Sequence, residues 1–517
     1  MLNKRFLKNT VEVGGLTFLS RISGLIRDLF VAKYLGAGKL SDCFLVAFRI
    51  PNLFRSIFAE GAFNSAFIPI FSGILYNDGK VNAKNFCKSI FALLFYILLI
   101  FTLLCEIFMP QVVQIFAPGF SANPEKFELA VKLSQITFPF LMFIALTSFF
   151  GSILNTLGNF KPYASTPIIL NTCIVLSLLG FANFFPNAAY AVSWAVFVAG
   201  IIQLVWLFWV AKKYGFGVLS FTFNISQSVK QFFKKIMPGI IGAGIYHLNI
   251  MIGSIFATPT NGAVSWIYYA DRLNQLPLGV IGVAIATVLL PSMTKELQKN
   301  HNNKGIMIFN NSIKMASLLV IPCAIGMMAA SMPLIQIFFE RGAFKASDTY
   351  ATAQILQILC LSLPALVYTK LYSNVFYARK DTKTPMIVAG INLLFNLFLT
   401  VTLTHKFSYM GVVLAITISN WLGFLMLYYI SYTKNFMHIY KRILKDIIKI
   451  VILSFVMGVI VYLGSIWIMS DIAEYGIAFR ILLLCLLIIF SMVFYFAGVF
   501  ILRVINTNSI KKLLKRN

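Results

Sequence analysis

The sequence predicts an all-α membrane protein with fourteen transmembrane helices, arranged as two six-helix lobes followed by a C-terminal helix pair. Three observations carry this prediction: the composition, the recurrence of long apolar runs and an internal repeat. Of the 517 residues, 59% are hydrophobic and 11% are charged. Soluble domains carry about 25% charged residues, so this composition excludes an ordinary soluble domain.

The apolar runs recur along the whole chain, and each is long enough to cross a bilayer as a helix, which takes about 20 residues. They lack the alternation of apolar and polar residues that barrel strands require. The predicted spans are 11–36, 42–77, 87–110, 128–157, 164–184, 188–211, 233–258, 263–294, 307–333, 349–378, 384–404, 409–432, 443–469 and 477–503.

The net charge is +27, and the positive residues are concentrated in the loops between these spans. Lysine and arginine gather at both termini and in alternate loops, for example Lys80, Lys84 and Lys88 after the second span. Intervening loops such as "GFANFFPNAAY" carry no positive charge. Positive residues stay on the cytoplasmic side of a membrane, so both termini are predicted to be cytoplasmic. Membrane orientation therefore explains the charge better than nucleic-acid binding does.

An internal repeat organises the chain. "MPQVVQIFAPGF" (109–120) resembles "MPLIQIFFERGAF" (332–344), and "YASTPIILN" (163–171) resembles "DTKTPMIVAGIN" (381–392). A looser match pairs 47–69 with 270–291, and all three offsets are about 220 residues. Such ordered matches indicate duplication. The predicted domains are an N-terminal lobe (1–220), a C-terminal lobe (221–435) and an extra helix pair with a basic tail (436–517), as in secondary transporters.

Several charged residues fall inside predicted spans. An arginine at the bilayer centre costs roughly 2.5–3.5 kcal/mol, so we expect these residues to line a hydrated cavity or to bind an anion. Arginine suits phosphate, because its planar group donates two hydrogen bonds at once. Interhelical salt bridges and arginines that reach the interface remain alternatives. The candidates are Arg21, Arg27, Asp28, Asp42, Arg49, Arg55, Glu60 and Arg272, with Asp271 beside the last.

The sequence gives no confident metal site. The seven cysteines are scattered and form no CxxC pair, which is typical of small buried side chains. Asn392 and Asn396 lie four residues apart in a predicted span and are weak candidates for a cation site. Hydrogen bonding between helices is the favoured interpretation for such asparagines.

Long motifs in the sequence resemble one known family. "SRISGLIRD", "GAGKLSDCFLVAFRIPNLFRSIFAEGAFNSAFIPIF", "SWIYYADRLNQLPLGVIGVAIATVLLP" and "FYARKDTKTP" are similar to stretches of the MurJ (MviN) family of bacterial lipid II flippases. This family belongs to the multidrug/oligosaccharidyl-lipid/polysaccharide (MOP) exporter superfamily. The resemblance runs over essentially the full length and implies the same fourteen-helix fold.

The resemblance also implies a function in cell-wall synthesis. Lipid II, a disaccharide-pentapeptide on a polyprenyl diphosphate, would be moved from the inner to the outer leaflet of the bacterial inner membrane by alternating access. The family's cavity arginines match Arg21, Arg27, Arg55 and Arg272, and its acidic partners match Asp28, Asp42 and Glu60. Some relatives have glutamate where this chain has Gln275, so no mechanism that needs a carboxylate there is expected to apply.

A lipid-linked O-antigen or polysaccharide flippase of the same superfamily remains the alternative. An enzyme is not expected, because the sequence shows no paired carboxylates at a loop mouth, no metal cluster and no nucleophile motif. The expected partners are lipid II, membrane lipids and cell-wall synthesis proteins, without nucleic acid. No cofactor is expected: membrane potential would drive transport, and coupling to Na⁺ or H⁺ stays open.

Overall fold

The computed structural model describes residues 4–56, 63–222, 224–299, 301–470 and 476–504. All regular structure in these ranges is helical. The chain forms two compact units. The first comprises Met1–Ser265 with Arg341–Phe344, and the second comprises Trp266–Glu340 with Lys345–Asn517. The predicted all-α class is confirmed, and the lobe boundaries derived from the repeat stay a prediction.

The first unit is built from eleven described helices in chain order. They are α1 (Lys4–Leu35), α2 (Lys39–Arg55), α3 (Phe63–Asn77), α4 (Gly79–Ile107), α5 (Met109–Phe116), α6 (Pro124–Thr137), α7 (Phe140–Thr156), α8 (Lys161–Ala164), α9 (Thr166–Gly180), α10 (Ala188–Lys213) and α11 (Gln227–Ala257).

The second unit takes over within α12 (Ala263–Pro277), which a π-helical turn at Leu278–Gly282 joins to the next helix. The remaining helices are α13 (Val283–Gln298), α14 (Asn302–Ala329), α15 (Ser331–Phe339), α16 (Ala346–Ala378), α17 (Lys383–Phe407), α18 (Tyr409–Thr433), α19 (Lys441–Ser470) and α20 (Ile477–Ile501). Within this unit α16 packs on α18 and α14, and α14 also packs on α19.

Local sequence explains where several helices begin. Asn123 caps α6, because its side-chain oxygen accepts a hydrogen bond from Lys126 N at 3.0 Å. Asn187 caps α10 in the same way through Ala189 N, also at 3.0 Å. Asparagine is among the strongest N-capping residues. Proline in the first turn of α5, α6 and α9 fits there without losing an intrahelical hydrogen bond.

Phenylalanine dominates the core of the first unit. Phe67 lies at its centre and is fully buried. Its ring stacks on Phe71 and meets Phe149 edge to face, at centroid separations of 5.3 and 5.5 Å. Such pairs contribute about 0.5–1.5 kcal/mol beyond their burial. Helices α3 and α7 are thereby held together, and α10 packs on α7 and α9.

Eleven helical segments of the described residues are long and apolar enough to span a membrane. The predicted spans at 11–36, 42–77 and 233–258 are not among them, although they too are largely helical. The count of fourteen therefore stays a prediction. The predicted span 128–157 is interrupted at Pro139, which has no N–H for a helix interior, so α6 and α7 are separate helices.

The internal repeat appears as a repeated order of helices. In the first copy the long α4 is followed by the short α5, a loop and α6. In the second copy the long α14 is followed by the short α15, a loop and α16. The two short helices carry the matching sequences "MPQVVQIF" and "SMPLIQIFF". The duplication seen in the sequence is therefore also a duplication of local structure.

Candidate functional site

A buried arginine lies on α1 in the first unit. The Arg27 side chain donates from Nε and Nη2 to Asp28 Oδ1 at 3.0 and 2.7 Å, and from Nη1 to Asn171 Oδ1 at 3.1 Å. Arg27 is 7% exposed and Asp28 is 2% exposed. Three directed hydrogen bonds fix the guanidinium plane, and the adjacent carboxylate offsets the cost of burying the charge. We call Arg27, Asp28 and Asn171 the Arg27 cluster.

Asn171 belongs to α9 and was missed by sequence reasoning. Its amide group donates to Ser23 Oγ at 2.9 Å while its oxygen accepts from Arg27, so one side chain holds two positions of α1. Gly24 also faces this side chain, since a Cβ there would lie 3.6 Å from Asn171 Nδ2, an ordinary contact distance. Asn171 ends the repeated stretch "YASTPIILN". Nothing in the local sequence indicated its partner, which lies 144 residues away.

A second buried charge, Asp42 in the first turn of α2, is fully enclosed. Its carboxylate accepts four hydrogen bonds: from Lys126 Nζ at 2.8 Å, Gly262 N at 2.7 Å, Ser265 N at 3.0 Å and Ser265 Oγ at 2.6 Å. A carboxylate has about four acceptor positions. Asp42 therefore ties α2 to α6 and to the start of α12, all within the first unit.

Lys126 is the other residue that sequence reasoning missed. It is 5% exposed, which is rare for lysine. Besides Asp42, its ammonium donates to Asn261 Oδ1 at 3.0 Å and lies 4.3 Å from the ring centroid of Phe120. We call Asp42, Lys126, Asn261, Gly262 and Ser265 the Asp42 network. Its lysine was overlooked because α6 begins with several charged residues typical of an exposed turn.

The other predicted residues of the first unit are placed separately. Arg55 is half-buried at the end of α2, and its Nε donates to Asn52 Oδ1 at 3.0 Å. Arg49 is also half-buried, and Arg21 is exposed. Glu60 lies outside the described residues. The structure thus brings Arg27 and Asp28 into direct contact, while the cavity role of the whole set stays a prediction.

In the second unit, Arg272 lies on α12. Its Nη2 donates to Tyr268 Oη at 2.8 Å, and the guanidinium carbon is 4.8 Å from the Tyr268 ring centroid. One helical turn thus supplies a hydrogen bond and a cation–π contact. Gln275, where some relatives have glutamate, is exposed and donates from Nε2 to Asp271 Oδ2. Position 275 therefore has no carboxylate of its own, but its amide contacts the carboxylate of Asp271.

The two asparagines of α17 are placed at helix packing positions. Asn396 is 1% exposed and accepts a hydrogen bond from Thr400 Oγ1 at 3.4 Å. The Asn392 amide group packs against Gly423 of α18, where a Cβ would lie 3.4 Å from Cγ. Among the described residues, no group of three His, Cys, Asp or Glu gathers in a way that would hold a metal ion.

Two equivalent loops of the repeat make equivalent close contacts inside the first unit. In the loop "APGF" (117–120), Gly119 N donates to Thr258 Oγ1 at 3.0 Å, and a Cβ at Gly119 would overlap the backbone at Pro259. In the matching loop "RGAF" (341–344), Ala343 N donates to Lys33 O at 2.8 Å. Gly342, at φ +61°, would overlap the same carbonyl if it carried a Cβ. Each loop therefore packs on the turn that follows the first helix of the other repeat.

One polar site outside the spans has a strongly shifted pKa. Asp381, before α17, accepts hydrogen bonds from Thr384 N at 2.9 Å and Thr384 Oγ1 at 2.7 Å. These bonds, led by the backbone N–H, lower the pKa of Asp381 to about 2, with a smaller contribution from Lys434. Asp381 thus caps the helix that the motif "FYARKDTKTP" opens.

Comparison with known proteins links the chain to one family. The family profile described as "Lipid II flippase MurJ" matches residues 31–484. A Rhizobium tropici protein named "Probable lipid II flippase MurJ" is 36% identical over 517 residues, covering 99% of this chain and 97% of the relative. The solved structure "Lipid II flippase MurJ, inward closed conformation" superposes with a TM-score of 0.77 at 28% identity, covering 94% of this chain and 99% of that chain.

A second solved structure is similar in fold at much lower sequence identity. An inward-facing multidrug resistance MATE family transporter of the MOP superfamily superposes with a TM-score of 0.69 at 14% identity. The match covers 82% of this chain and 97% of that transporter. At this identity the likeness supports the fold alone. It agrees with the sequence-based prediction of a duplicated helical transporter.

Proposed function

Because the chain belongs to the MurJ family of lipid II flippases, we propose that it moves lipid II from the inner to the outer leaflet of the bacterial inner membrane. The Arg27 cluster is the observation that carries the proposal. Burying a guanidinium that is 7% exposed within a membrane protein is costly, and ionisable residues inside membrane spans mark functional sites. The full-length similarity to a protein named as a lipid II flippase favours lipid II over an O-antigen unit as the substrate.

Arginine chemistry fits the substrate headgroup. The diphosphate of lipid II is an anion with oxygens spaced for paired hydrogen bonds, which a guanidinium donates and an ammonium does not. We assign Arg27 and Arg272 as the main diphosphate contacts, with Arg21, Arg49 and Arg55 adding positive charge along the path. Asp28 and Asn171 orient Arg27, and Tyr268 orients Arg272. The polyprenyl chain stays in the bilayer while the headgroup crosses.

Alternating access is the mechanism we propose for the crossing. The Asp42 network joins α2, α6 and the start of α12 through a carboxylate that accepts four hydrogen bonds. Such a network is suited to hold one end of the path closed, and it has to break when that end opens. Charged groups that leave the network regain water, so the cost of opening is reduced by hydration.

Membrane potential is the driving force we propose. Each negative charge that moves outward gains about 2.3 kcal/mol per 100 mV of inside-negative potential. The headgroup is an anion, so no ion gradient is needed in principle. In the proposed orientation both termini are cytoplasmic, because lysine-rich loops stay on the cytoplasmic side. The chain itself would form and break no covalent bond, and cell-wall synthesis enzymes would use the delivered lipid II.

Reconstituted protein tests the proposal. Purified chain in liposomes that contain fluorescent lipid II should expose the lipid to an impermeant lipid II-binding probe, faster when a potential is imposed. Liposomes with Arg27→Ala protein should show rates near the protein-free background, and Arg442→Ala, an exposed arginine on α19, should match the parent. A parent rate equal to the protein-free background would contradict the proposal. Preference for a lipid-linked O-antigen unit would favour the alternative substrate.

A further inference from the structure

The segment between α10 and α11 lies against a membrane helix instead of crossing open solvent. This segment, residues 214–222 and 224–226, is called the connector. Phe216 is buried and meets the Phe71 ring edge to face at 5.4 Å. Lys80 Nζ, at the start of α4, lies 5.5 Å from the Phe216 ring centroid. The connector therefore begins at the lysine-rich end of α4.

From there the connector runs along α4 towards the middle of the membrane span. The Phe221 ring lies 5.2 Å from the Phe95 ring, and Tyr96 Oη donates to Phe221 O at 3.1 Å. The chain then returns, because Asn224 N donates to Ser89 Oγ at 3.2 Å. Tyr96 lies seven positions after Ser89, a rise of about 10 Å along a helix.

This depth places the tip inside the apolar part of α4. Lys88 is the last charged residue before the uncharged stretch from Ser89 to Cys105, and α4 is one of the eleven apolar segments long enough to span. A hydrocarbon core is about 30 Å thick. The Phe221 end of the connector thus reaches about a third of the way into it.

Several backbone polar groups of the connector have hydrogen-bond partners within the protein, as a segment without access to water requires. Non-helical backbone is tolerated at membrane depth only where its polar groups find protein partners. Phe221 O accepts a hydrogen bond from the Tyr96 hydroxyl, and Asn224 N donates one to the Ser89 hydroxyl. Thr222 O accepts a hydrogen bond from the Ser220 hydroxyl at 2.9 Å. Three hydroxyl groups therefore serve the backbone at the tip.

The outer surface of the connector is apolar and its flanks are basic. Leu219, Phe221 and Ile225 are 62%, 58% and 56% exposed. Residues 212–235 contain five lysines and no acidic residue. Exposed apolar side chains between lysines match the boundary of a bilayer, where acyl chains meet anionic headgroups. The lipid-facing surface of α4, with Ile97 and Ile100 exposed, continues this apolar surface.

From this geometry we infer that the connector is a re-entrant segment, inserted into the leaflet at the N-terminal end of α4. Leu219 and Phe221 contact acyl chains there, and the flanking lysines contact anionic phosphates. The two repeats are thus joined by a lipid-anchored hairpin and not by a free linker. This position of the connector does not depend on which substrate the chain transports.

Hydroxyl-radical footprinting of the unmodified chain tests the insertion. The chain is placed in nanodiscs of phosphatidylethanolamine and phosphatidylglycerol, and side-chain oxidation is read by mass spectrometry. Tyr76 and Val81, 77% and 73% exposed, lie at the same end but outside the uncharged stretch of α4, and serve as references. We expect oxidation of Leu219 and Phe221, corrected for intrinsic reactivity, to be several-fold lower than at the references. Equal corrected oxidation would overturn the inference, because the protein alone leaves all four side chains similarly exposed.

Spin labels supply a second, independent measurement. A label at Leu219→Cys or Phe221→Cys in a cysteine-free background should collide with oxygen more than with a water-soluble nickel reagent, and a label at Asp78→Cys should do the reverse. Tyr96→Phe removes one hydroxyl partner and should raise the mobility of the label at position 219, whereas Tyr76→Phe should leave it unchanged. A label at 221 as accessible to nickel as the one at 78 would contradict the inference. Protection that appears only after a soluble protein is added would instead indicate a protein partner.

Discussion

The Arg27 cluster and the Asp42 network are both buried charges of the first unit, yet their partners come from different parts of the chain. Arg27 is held by its neighbour Asp28 and by Asn171, all within the first repeat. Asp42 is held by Lys126 of the first repeat, but also by Gly262 and Ser265, which belong to the second. Under the mechanism we propose, a movement of one repeat against the other would keep the Arg27 cluster together and would separate the partners of the Asp42 network.

We propose that this difference separates a substrate-binding residue, Arg27, from a residue that closes the path, Asp42. A residue that grips a substrate needs a fixed orientation in every state of the cycle, and local partners supply it. A residue that holds an end closed needs partners that leave when the end opens.

Lys126→Met should have the largest effect on stability. It leaves Asp42 fully buried without its cation, and breaking a buried pair in this way costs about 3–5 kcal/mol. The free energy of unfolding in mixed micelles measures the loss. Lys132→Met is the matched control, because Lys132 pairs with Glu128 on the exposed surface of the same helix, where such pairs contribute less than about 1 kcal/mol. Equal losses in the two variants would contradict the role given to the Asp42 network.

Arg27→Ala and Arg272→Ala should abolish transport while the protein still inserts and accumulates. Each removes a charged hydrogen-bond donor that contributes about 1.5–3 kcal/mol, or roughly 10- to 150-fold in binding the headgroup. Growth of cells that carry each variant as the sole flippase, with a parallel immunoblot of membranes, measures both properties. Normal growth of both variants would refute the assigned contacts.

Gly119→Ala should loosen the contact between the "APGF" loop and Pro259. Overpacking of this kind costs about 1–3 kcal/mol. Cys43 is a native reporter, because it is fully buried next to Asp42 and its thiol donates to Lys126 O at 3.3 Å. We expect faster alkylation of Cys43 in Gly119→Ala. Gly38→Ala is the control, since a Cβ there meets no atom within 4 Å, and faster alkylation in both would show that the loop contact is not the cause.

Asp381→Asn should have a small, pH-dependent effect. The folded chain lowers the pKa of Asp381 to about 2, below its ordinary value of about 3.9, so the carboxylate stabilises the fold above pH 4. That contribution is lost as pH falls from about 4 to 2. Because the Asp381 side chain is 21% exposed and solvent screens its charge, we expect less than about 1 kcal/mol. Unfolding temperatures of parent and variant should differ slightly at pH 6 and converge towards pH 2. A constant difference would point to the hydrogen-bond geometry instead of the charge.

Gln275→Leu should have the smallest effect. Gln275 is exposed and its amide donates to Asp271, a surface hydrogen bond that contributes little to stability. An amide cannot carry a proton at neutral pH, so transport in proteoliposomes should remain within about twofold of the parent. Complete loss of transport would require a specific role for this side chain.

The sequence was sufficient to predict the fold class. It was not sufficient to predict which residues form hydrogen bonds with the buried charged side chains. Apolar runs and the repeat at about 220 residues predicted the helical membrane fold, because helix formation in a bilayer is a local requirement. Charge inside spans identified Arg27 and Asp28, which are adjacent in the chain. Asn171 and Lys126 were missed because their roles arise from contacts across 144 and 84 residues, and neither residue type is unusual where it stands in the sequence.

Asp42 illustrates the limit most clearly. The sequence placed it with the cavity residues, since a carboxylate in a predicted span is a candidate for function. The structure gives it four donors and no exposure. Three of those donors come from residues more than 200 positions away, Gly262 and Ser265. These donors become visible only when the start of α12 is seen packed against α2.

The amount of lipid II on the outer face of living cells is the most direct test of whether this chain transports lipid II through Arg27. The resident flippase of a bacterium is depleted, this chain is supplied, and labelled lipid II accessible from outside is quantified. We predict rescue by the parent chain, none by Arg27→Ala and partial rescue by Arg27→Lys, which keeps the charge but loses the planar donor group. Abundant membrane protein without outer-face lipid II, or full rescue by Arg27→Ala, would contradict the central claim that a buried arginine carries the lipid II headgroup across.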